Sequence, residues 1–279
     1  MEVLRYAAFT DSPEGGNPAG VVLDAAAMSD ADMLALAAEV GYSESAFVVG
    51  RDGDGLDVRY FSPLAEVPFC GHATIATGVA LAEAGLVGGD VVFRTRSGPV
   101  TVATVRDAAG GVTATLTSVE PRTLPVADGD LAEAIGALGW TQAELDPALP
   151  PRVAYAGAYH LVLAAGTRER LAALDYDFDR LGALMAAQDW TTVQLVWREG
   201  VDRFHARDPF PPGGVVEDPA TGAAAAALGG YLRELGAVEP PARITVLQGE
   251  DLGRPGRLEV DVPAGSGGIA VTGRAVRIG

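Results

Sequence analysis

Glu44 stands directly before an apolar run, Ser45-Ala46-Phe47-Val48-Val49. A carboxylate in such a place is costly to bury as an ion, which suits it to taking and giving a proton. The same residue also reads as an exposed glutamate at a strand start. Two further segments, Cys70-Gly71-His72-Ala73-Thr74 and Glu217-Asp218-Pro219-Ala220-Thr221-Gly222, each lead into an alanine-rich stretch. Both place backbone N–H groups at a helix N-terminus, where they bind anions, carboxylates included, through unpaired donors and the helix dipole. His72 reads either as a site residue or as a packed or capping histidine. Asp218 reads as an N-cap, a role compatible with catalysis. The segment Gly15-Gly16-Asn17-Pro18-Ala19-Gly20 makes a tight loop between two strands, and by itself it is also a plain turn.

Composition narrows the chemistry. All 20 basic residues are arginine, against 37 acidic residues, for a formal charge of −17. Without lysine there is no internal aldimine with pyridoxal phosphate, no Schiff-base lysine and no P-loop lysine. So acidic a surface repels phosphate backbones, and no nucleic-acid partner is expected. Cysteine occurs once, at Cys70, so no intrachain disulfide and no cysteine-rich zinc site form, and a reducing, cytoplasmic setting is expected. His72, His160 and His205 show no metal-ligand spacing, and no metal site is expected. No unbroken apolar run is long enough for a membrane span. Met1-Glu2-Val3-Leu4-Arg5 lacks a basic leader and reads as the first strand.

These residues need elements to position them. Periodicity and turn signals predict strands at 3–9 and 20–23, a helix at 31–40 capped by Ser29 or Asp30, and strands at 45–49 and 56–61. A proline-bearing loop, 62–70, leads into a small-residue helix at 73–84, followed by strands at 91–96, 100–105 and 112–118. The stretch 120–128, with Pro121 and Pro125, reads as a linker. The second half repeats the order: a helix at 131–138, a strand at 154–163, helices at 168–174 and 178–187, and strands at 192–197 and 201–206. Then come a proline- and glycine-rich loop at 207–218, a small-residue helix at 220–235, and strands at 244–248, 258–262 and 269–277. Two alanine-rich helices at matching positions, apolar nearly all round, predict a tandem duplication with each helix enclosed by sheet. The half-domains are placed at 1–119 and 128–268, with the final strand, about 269–279, able to pack with the first.

Taken together the segments resemble the phenazine-biosynthesis isomerase-like family, which belongs with the diaminopimelate epimerase fold. The matching residues are Phe9-Thr10 with Gly16-Asn17-Pro18-Ala19-Gly20-Val21, Ser43-Glu44-Ser45-Ala46-Phe47, Tyr60-Phe61-Ser62-Pro63, and Glu66-Val67-Pro68-Phe69-Cys70-Gly71-His72-Ala73-Thr74. Glu217 to Gly222, and Gln248-Gly249 with Gly253-Arg254-Pro255-Gly256, complete the set. The resemblance implies an α+β chain of two pseudo-symmetric domains, each a mostly antiparallel, barrel-like sheet around a central helix, with the active site between them. It implies a homodimer that needs no cofactor and acts on a small carboxylate. In the family's phenazine enzyme the substrate is a dihydro-hydroxyanthranilate, and a proton and double bonds move. By resemblance the catalytic glutamate falls on Glu44, the active-site histidine on His72 and the aspartate of the second junction on Asp218. Asn17, Cys70, Gly71, Ala73, Thr221 and Gly222 are the expected substrate-binding positions. Where the phenazine enzyme has a serine after the second Thr-Gly, this chain has Ala223. The rival readings are an epimerase or racemase of the diaminopimelate type, which uses two cysteines where this chain has only Cys70, and a non-catalytic metabolite-binding protein on the same scaffold.

Overall fold

Parallel neighbours in a sheet need a crossover, and this chain uses its helices for that purpose. The structure, a computed structural model, describes every residue except Met1 and Asp54, so the Met1 of the N-terminal reading lies outside the described residues. Along the first part run β1 (Leu4–Ala8), β2 (Asn17–Val22), α1 (Asp30–Val40), β3 (Glu44–Asp52), β4 (Gly55–Phe61), β5 (Glu66–Val67), α2 (Gly71–Glu83), β6 (Gly89–Thr95), β7 (Gly98–Arg106) and β8 (Val112–Thr117). Then come β9 (Arg122–Pro125), α3 (Asp128–Ala137), β10 (Arg152–Tyr155), β11 (Tyr159–Ala164), α4 (Arg168–Ala172), α5 (Phe178–Gln188), β12 (Trp190–Arg198) and β13 (Arg203–Phe210). The chain ends with β14 (Val215–Asp218), α6 (Gly222–Leu235), β15 (Ala242–Gln248), β16 (Gly256–Val262) and β17 (Ala270–Arg277). Two compact units result: Met1–Thr117 with Val271–Gly279, and Ser118–Ala270.

In the first unit the strands pair in the ring β1-β2-β3-β4-β6-β7-β8-β17, and β17 returns to β1, closing an eight-stranded barrel. The pairs β2–β3 and β4–β6 are parallel, and α1 and α2 are their crossovers. In the second unit β9-β10-β11-β12-β13-β15-β16 pair in turn, with β14 laid on β13. Here too the parallel pairs are β11–β12 and β13–β15, and α6 is the crossover of the second. The repeat of strand senses is the predicted duplication, expressed as hydrogen bonding.

Small side chains let α2 and α6 run inside their sheets. Every residue of α2 from Gly71 to Leu81 is buried, and α2 packs on β1, β2, β3, β7 and β8. Helix α6 packs on β9, β10, β11 and β16. A Cβ on Gly78 would sit 2.9 Å from Val102 Cγ1, and one on Gly229 would sit 2.9 Å from Ile269 Cγ2. Both glycines are eighth in their helices, so each unit brings helix and wall close at the same level, and a Cβ on the next residue of α6, Gly230, would come nearer still, 2.4 Å from Pro121 Cβ. Helix α1, by contrast, lies outside its barrel. The Ser29 and Asp32 side chains form its capping box, and Met33 and Ala37 turn inward to a cluster with Phe47 and Phe61.

Several expected boundaries move. The presumed linker 120–128 contains β9, hydrogen-bonded to β10 with Thr123 opposite Ala154. Pro125 sits at the strand's end, where the missing N–H disturbs the ladder least. The expected strand 154–163 is a hairpin, with Gly157 in the left-handed region at its turn. The expected loop 207–218 carries strand at both ends, and a register shift at Pro209/Phe210 accommodates the proline. Helix α6 starts at Gly222 rather than 220, so Thr221 occupies the cap position and Asp218 ends β14. Asp218 is therefore not the N-cap.

Candidate active site

In the first unit three elements bring three polar side chains together. Parallel pairing sets Glu44, first in β3, opposite Ala19 of β2. Asn17 lies two residues before Ala19 and so shares that face. His72 is the second residue of α2. Its Nδ1 lies 3.0 Å from Asn17 Nδ2, and its Nε2 lies 3.6 Å from Glu44 Oε2. With the amide donating to Nδ1, the ring proton falls on Nε2, the atom that faces the carboxylate. Asn17, Glu44 and His72 are all buried, at 1%, 9% and 4% exposure, yet the glutamate and histidine meet at the edge of the core rather than within it.

The helix start beside them is unusually well held. Thr74 donates its hydroxyl to Cys70 O at 2.7 Å, so the Tyr60 hydroxyl, 2.6 Å away, is the donor to Thr74. That relay ties the first turn of α2 to β4. Cys70 supplies no side-chain cap, so the amides of Gly71, His72 and Ala73 have no partner within the helix. They present donors and partial positive charge beside Glu44 and His72. The Cys70 sulfur lies 3.4 Å from His72 Nδ1 and 3.7 Å from Nε2. Donor atoms of Glu44, Cys70 and His72 lie within 4.8 Å of one another, a set able in kind to hold a metal. Near-equal distances to both ring nitrogens put the sulfur beside the ring, off the Nε2 lone-pair axis. The three donors therefore do not converge on one centre as they stand.

The second unit builds its junction differently. Gln248, at the end of β15, accepts from Thr221 N at 3.0 Å and donates to Asp218 O at 2.8 Å and to Thr221 Oγ1 at 3.0 Å. Thr221 in turn donates to Asp218 Oδ2 at 2.5 Å. One side-chain amide thus fixes the extended stretch between β14 and α6 and aims the Asp218 carboxyl. Gly249 follows with φ +81°, and a Cβ there would lie 2.3 Å from Arg254 O and 2.6 Å from Pro219 O, so only glycine fits. Thr221 gives α6 no side-chain cap, which leaves the first amides, from Gly222 on, without partners in the helix. Counting from each helix start, Ala223 stands where α2 has His72. Beneath this junction Arg207 binds Glu217 bidentately, at 3.0 and 2.6 Å, with both side chains buried.

The expected site residues thus form two groups, Asn17, Glu44, Cys70, Gly71, His72 and Ala73 in the first unit and Asp218, Thr221 and Gly222 in the second. Tyr60, Thr74 and Gln248 were not among the expected site residues, although they organise both junctions. Gln248-Gly249 as a motif was the one signal available. Asp208 and Thr192 were missed altogether, because nothing in sequence separates a buried polar residue from an exposed one on a short strand.

The comparisons with known proteins agree with this architecture. A family model described as phenazine biosynthesis-like protein matches residues 6–279. An uncharacterized isomerase of Deinococcus radiodurans is 38% identical over 93% of this chain and 87% of its own length. The trans-2,3-dihydro-3-hydroxyanthranilate isomerase of Pseudomonas fluorescens is 32% identical over 89% of this chain and 85% of its own. A Bacillus anthracis phenazine biosynthesis protein of the PhzF family superposes with a TM-score of 0.88 at 24% identity, covering 100% of this chain and 98% of that one, and shares the fold. The chain belongs to the phenazine biosynthesis-like protein family.

Proposed function

We propose that this isomerase moves a proton on a small carboxylic acid without a cofactor, with Glu44 as the proton carrier. The observation that carries the reading is the buried Glu44–His72 pair, 3.6 Å apart, beside the amides that open α2 and have no partner within the helix. The amides and the helix dipole hold the substrate carboxylate. Glu44 takes a proton from carbon, becomes the neutral acid and returns the proton to another carbon of the same molecule. His72, its ring orientation fixed by Asn17, donates from Nε2 to charge developing on the substrate. In the second unit the residues proposed for binding are Asp218, Thr221 and Gly222, with the Thr221 hydroxyl orienting the Asp218 carboxylate. Ala223 removes a hydroxyl that the phenazine enzyme has, which favours a substrate related to the dihydro-hydroxyanthranilate but not identical to it.

The test is proton exchange. Incubation with trans-2,3-dihydro-3-hydroxyanthranilate and a panel of small unsaturated carboxylic acids in heavy water, followed by NMR, should show deuterium entering one carbon position. Glu44→Gln should lower that rate by about 10²–10⁴ while leaving the far-ultraviolet dichroism unchanged. Full activity in Glu44→Gln would end the proposal, and binding without exchange would favour the non-catalytic reading. Among the described residues no helix is long and apolar enough to cross a membrane. We also infer a homodimer, supported by the family resemblance, and a cytoplasmic setting, supported by the single cysteine, Cys70, which allows no intrachain disulfide. Sedimentation at micromolar concentration checks the mass.

A further inference from the structure

Asp208 is the buried ionisable group that the proposed chemistry leaves unused. It is 0% exposed and lies on β13 directly opposite Asp218 of β14 in the antiparallel ladder. Directly opposed residues share a face, with Cβ atoms roughly 4.5–5.5 Å apart. From β12, the Thr192 hydroxyl donates to Asp208 Oδ1 at 3.0 Å. That hydroxyl has one proton to give, so it accepts from His160 Nδ1 of β11, 2.8 Å away, and His160 carries its proton on Nδ1. Burial pushes the His160 pKa down to about 3, so this histidine brings no positive charge. Arg207, next to Asp208 on β13, is already paired with Glu217 of β14. Asp208 is therefore surrounded by hydroxyls, a neutral ring and two other carboxylates, Asp218 and Glu217. Burial raises its pKa well above the carboxylate range. Asp218 and Glu217 add to the rise, and the Thr192 and Thr221 hydroxyls oppose it.

We propose that Asp208 is a positioning residue, a buried carboxylic acid that keeps its proton at neutral pH so that the negative charge at the start of α6 rests on Asp218 alone. The proposal rests on the reading of Asp218 as part of the substrate site. Opposed carboxyls ionise as a pair, one well before the other. Asp208 is the member of the pair that keeps its proton: it is fully buried and its Oδ2 has no hydrogen-bond partner among the described residues, whereas the 2.5 Å bond from the Thr221 hydroxyl goes to Asp218 Oδ2. Ionising Asp208 as well places a second charge against Asp218 and spoils its aim. Asp208 thus acts through Asp218 and touches no reacting atom.

Carboxyl carbon-13 NMR on the full chain tests this directly, with Asp208→Asn used only for assignment. The Asp208 carbon should titrate well above an ordinary aspartate, about 3.9. In Asp218→Asn its midpoint should move down, because a like charge has gone. In turnover, kcat/KM of the native enzyme should fall about tenfold per pH unit above that midpoint, and Asp208→Asn should lack this alkaline limb. A purely structural role would move neither the midpoint nor the limb. An Asp208 midpoint near 4, or a midpoint indifferent to Asp218→Asn, overturns the proposal, as does an alkaline limb retained in Asp208→Asn. If no acid is turned over at all, the isomerase reading fails, while the titration still decides the state of Asp208.

Discussion

A histidine becomes useful when one nitrogen is fixed and the other is aimed. Asn17 does the fixing at Nδ1, and Nε2 faces Glu44 at 3.6 Å, longer than a hydrogen bond, so neither group is committed to the other. Asn17→Ala should leave the buried Nδ1 without its partner, at about 1–3 kcal/mol of stability measured by urea unfolding. It should also lower kcat more than it raises KM, because the ring can then turn. Tyr60→Phe makes a contrasting case. It removes the proton donated to Thr74 while keeping the ring that packs on Phe69. About 0.5–1.5 kcal/mol of stability should be lost, with little change in KM. Residue types told part of this in advance. Glu44, His72 and Asn17 stood out by type and by family motif, whereas Tyr60 and Thr74 look like any strand tyrosine and helix threonine until their hydroxyls are seen to meet.

At the scale of elements, the enclosed helices depend on the absence of side chains where Gly78 and Gly229 approach the wall. Val102 and Ile269 are β-branched and cannot rotate away cheaply. Gly78→Val and Gly229→Val should each cost about 1–3 kcal/mol of stability, read as a lower urea midpoint with the unfolding slope unchanged. The alanine variants should suffer less, since better helix propensity offsets about 1 kcal/mol of the overpacking. Helices were the easier elements to foresee: α1 with its Ser29 cap, and α5, follow from 3.6-residue periodicity and end-group chemistry alone. Strands β9 and β14 were not foreseen, since each is four residues long and lies next to proline. So short a strand is stabilised by its partner's hydrogen bonds, and those come from elsewhere in the chain.

Over the whole molecule, pH should act on stability from two sides. His160 is held below its unfolded pKa, so the folded state binds fewer protons than the unfolded chain between about pH 6.5 and 3. Its contribution is present above 6.5 and is lost as pH falls toward 3, amounting to a few kcal/mol at most. Asp208 is raised, so its contribution is present below about pH 4 and is lost as pH rises through its folded-state midpoint. Thermal melts from pH 3 to 10 should therefore show a maximum near the middle of the range. His160→Gln should flatten the acid side and Asp208→Asn the alkaline side, and unchanged slopes in both variants would contradict the buried assignments.

The amino-acid sequence alone settles the exclusions and the plan. Absent lysine forbids Schiff-base lysine chemistry, a single cysteine forbids an intrachain disulfide, and two small-residue helices behind matching junctions predict a repeated helix-in-sheet architecture. These follow from composition and periodicity, which need no neighbours to be read. The tertiary structure decides which polar side chains are dry and which carboxyl faces which. Asp208 and Asp218 are ten residues apart in the chain and become opposed through a register shift at Pro209/Phe210, which leaves Val216 without a counterpart in a short hairpin. Burial and cross-strand register depend on the backbone packed around a residue, so local sequence cannot encode the environment that keeps one aspartate protonated beside another.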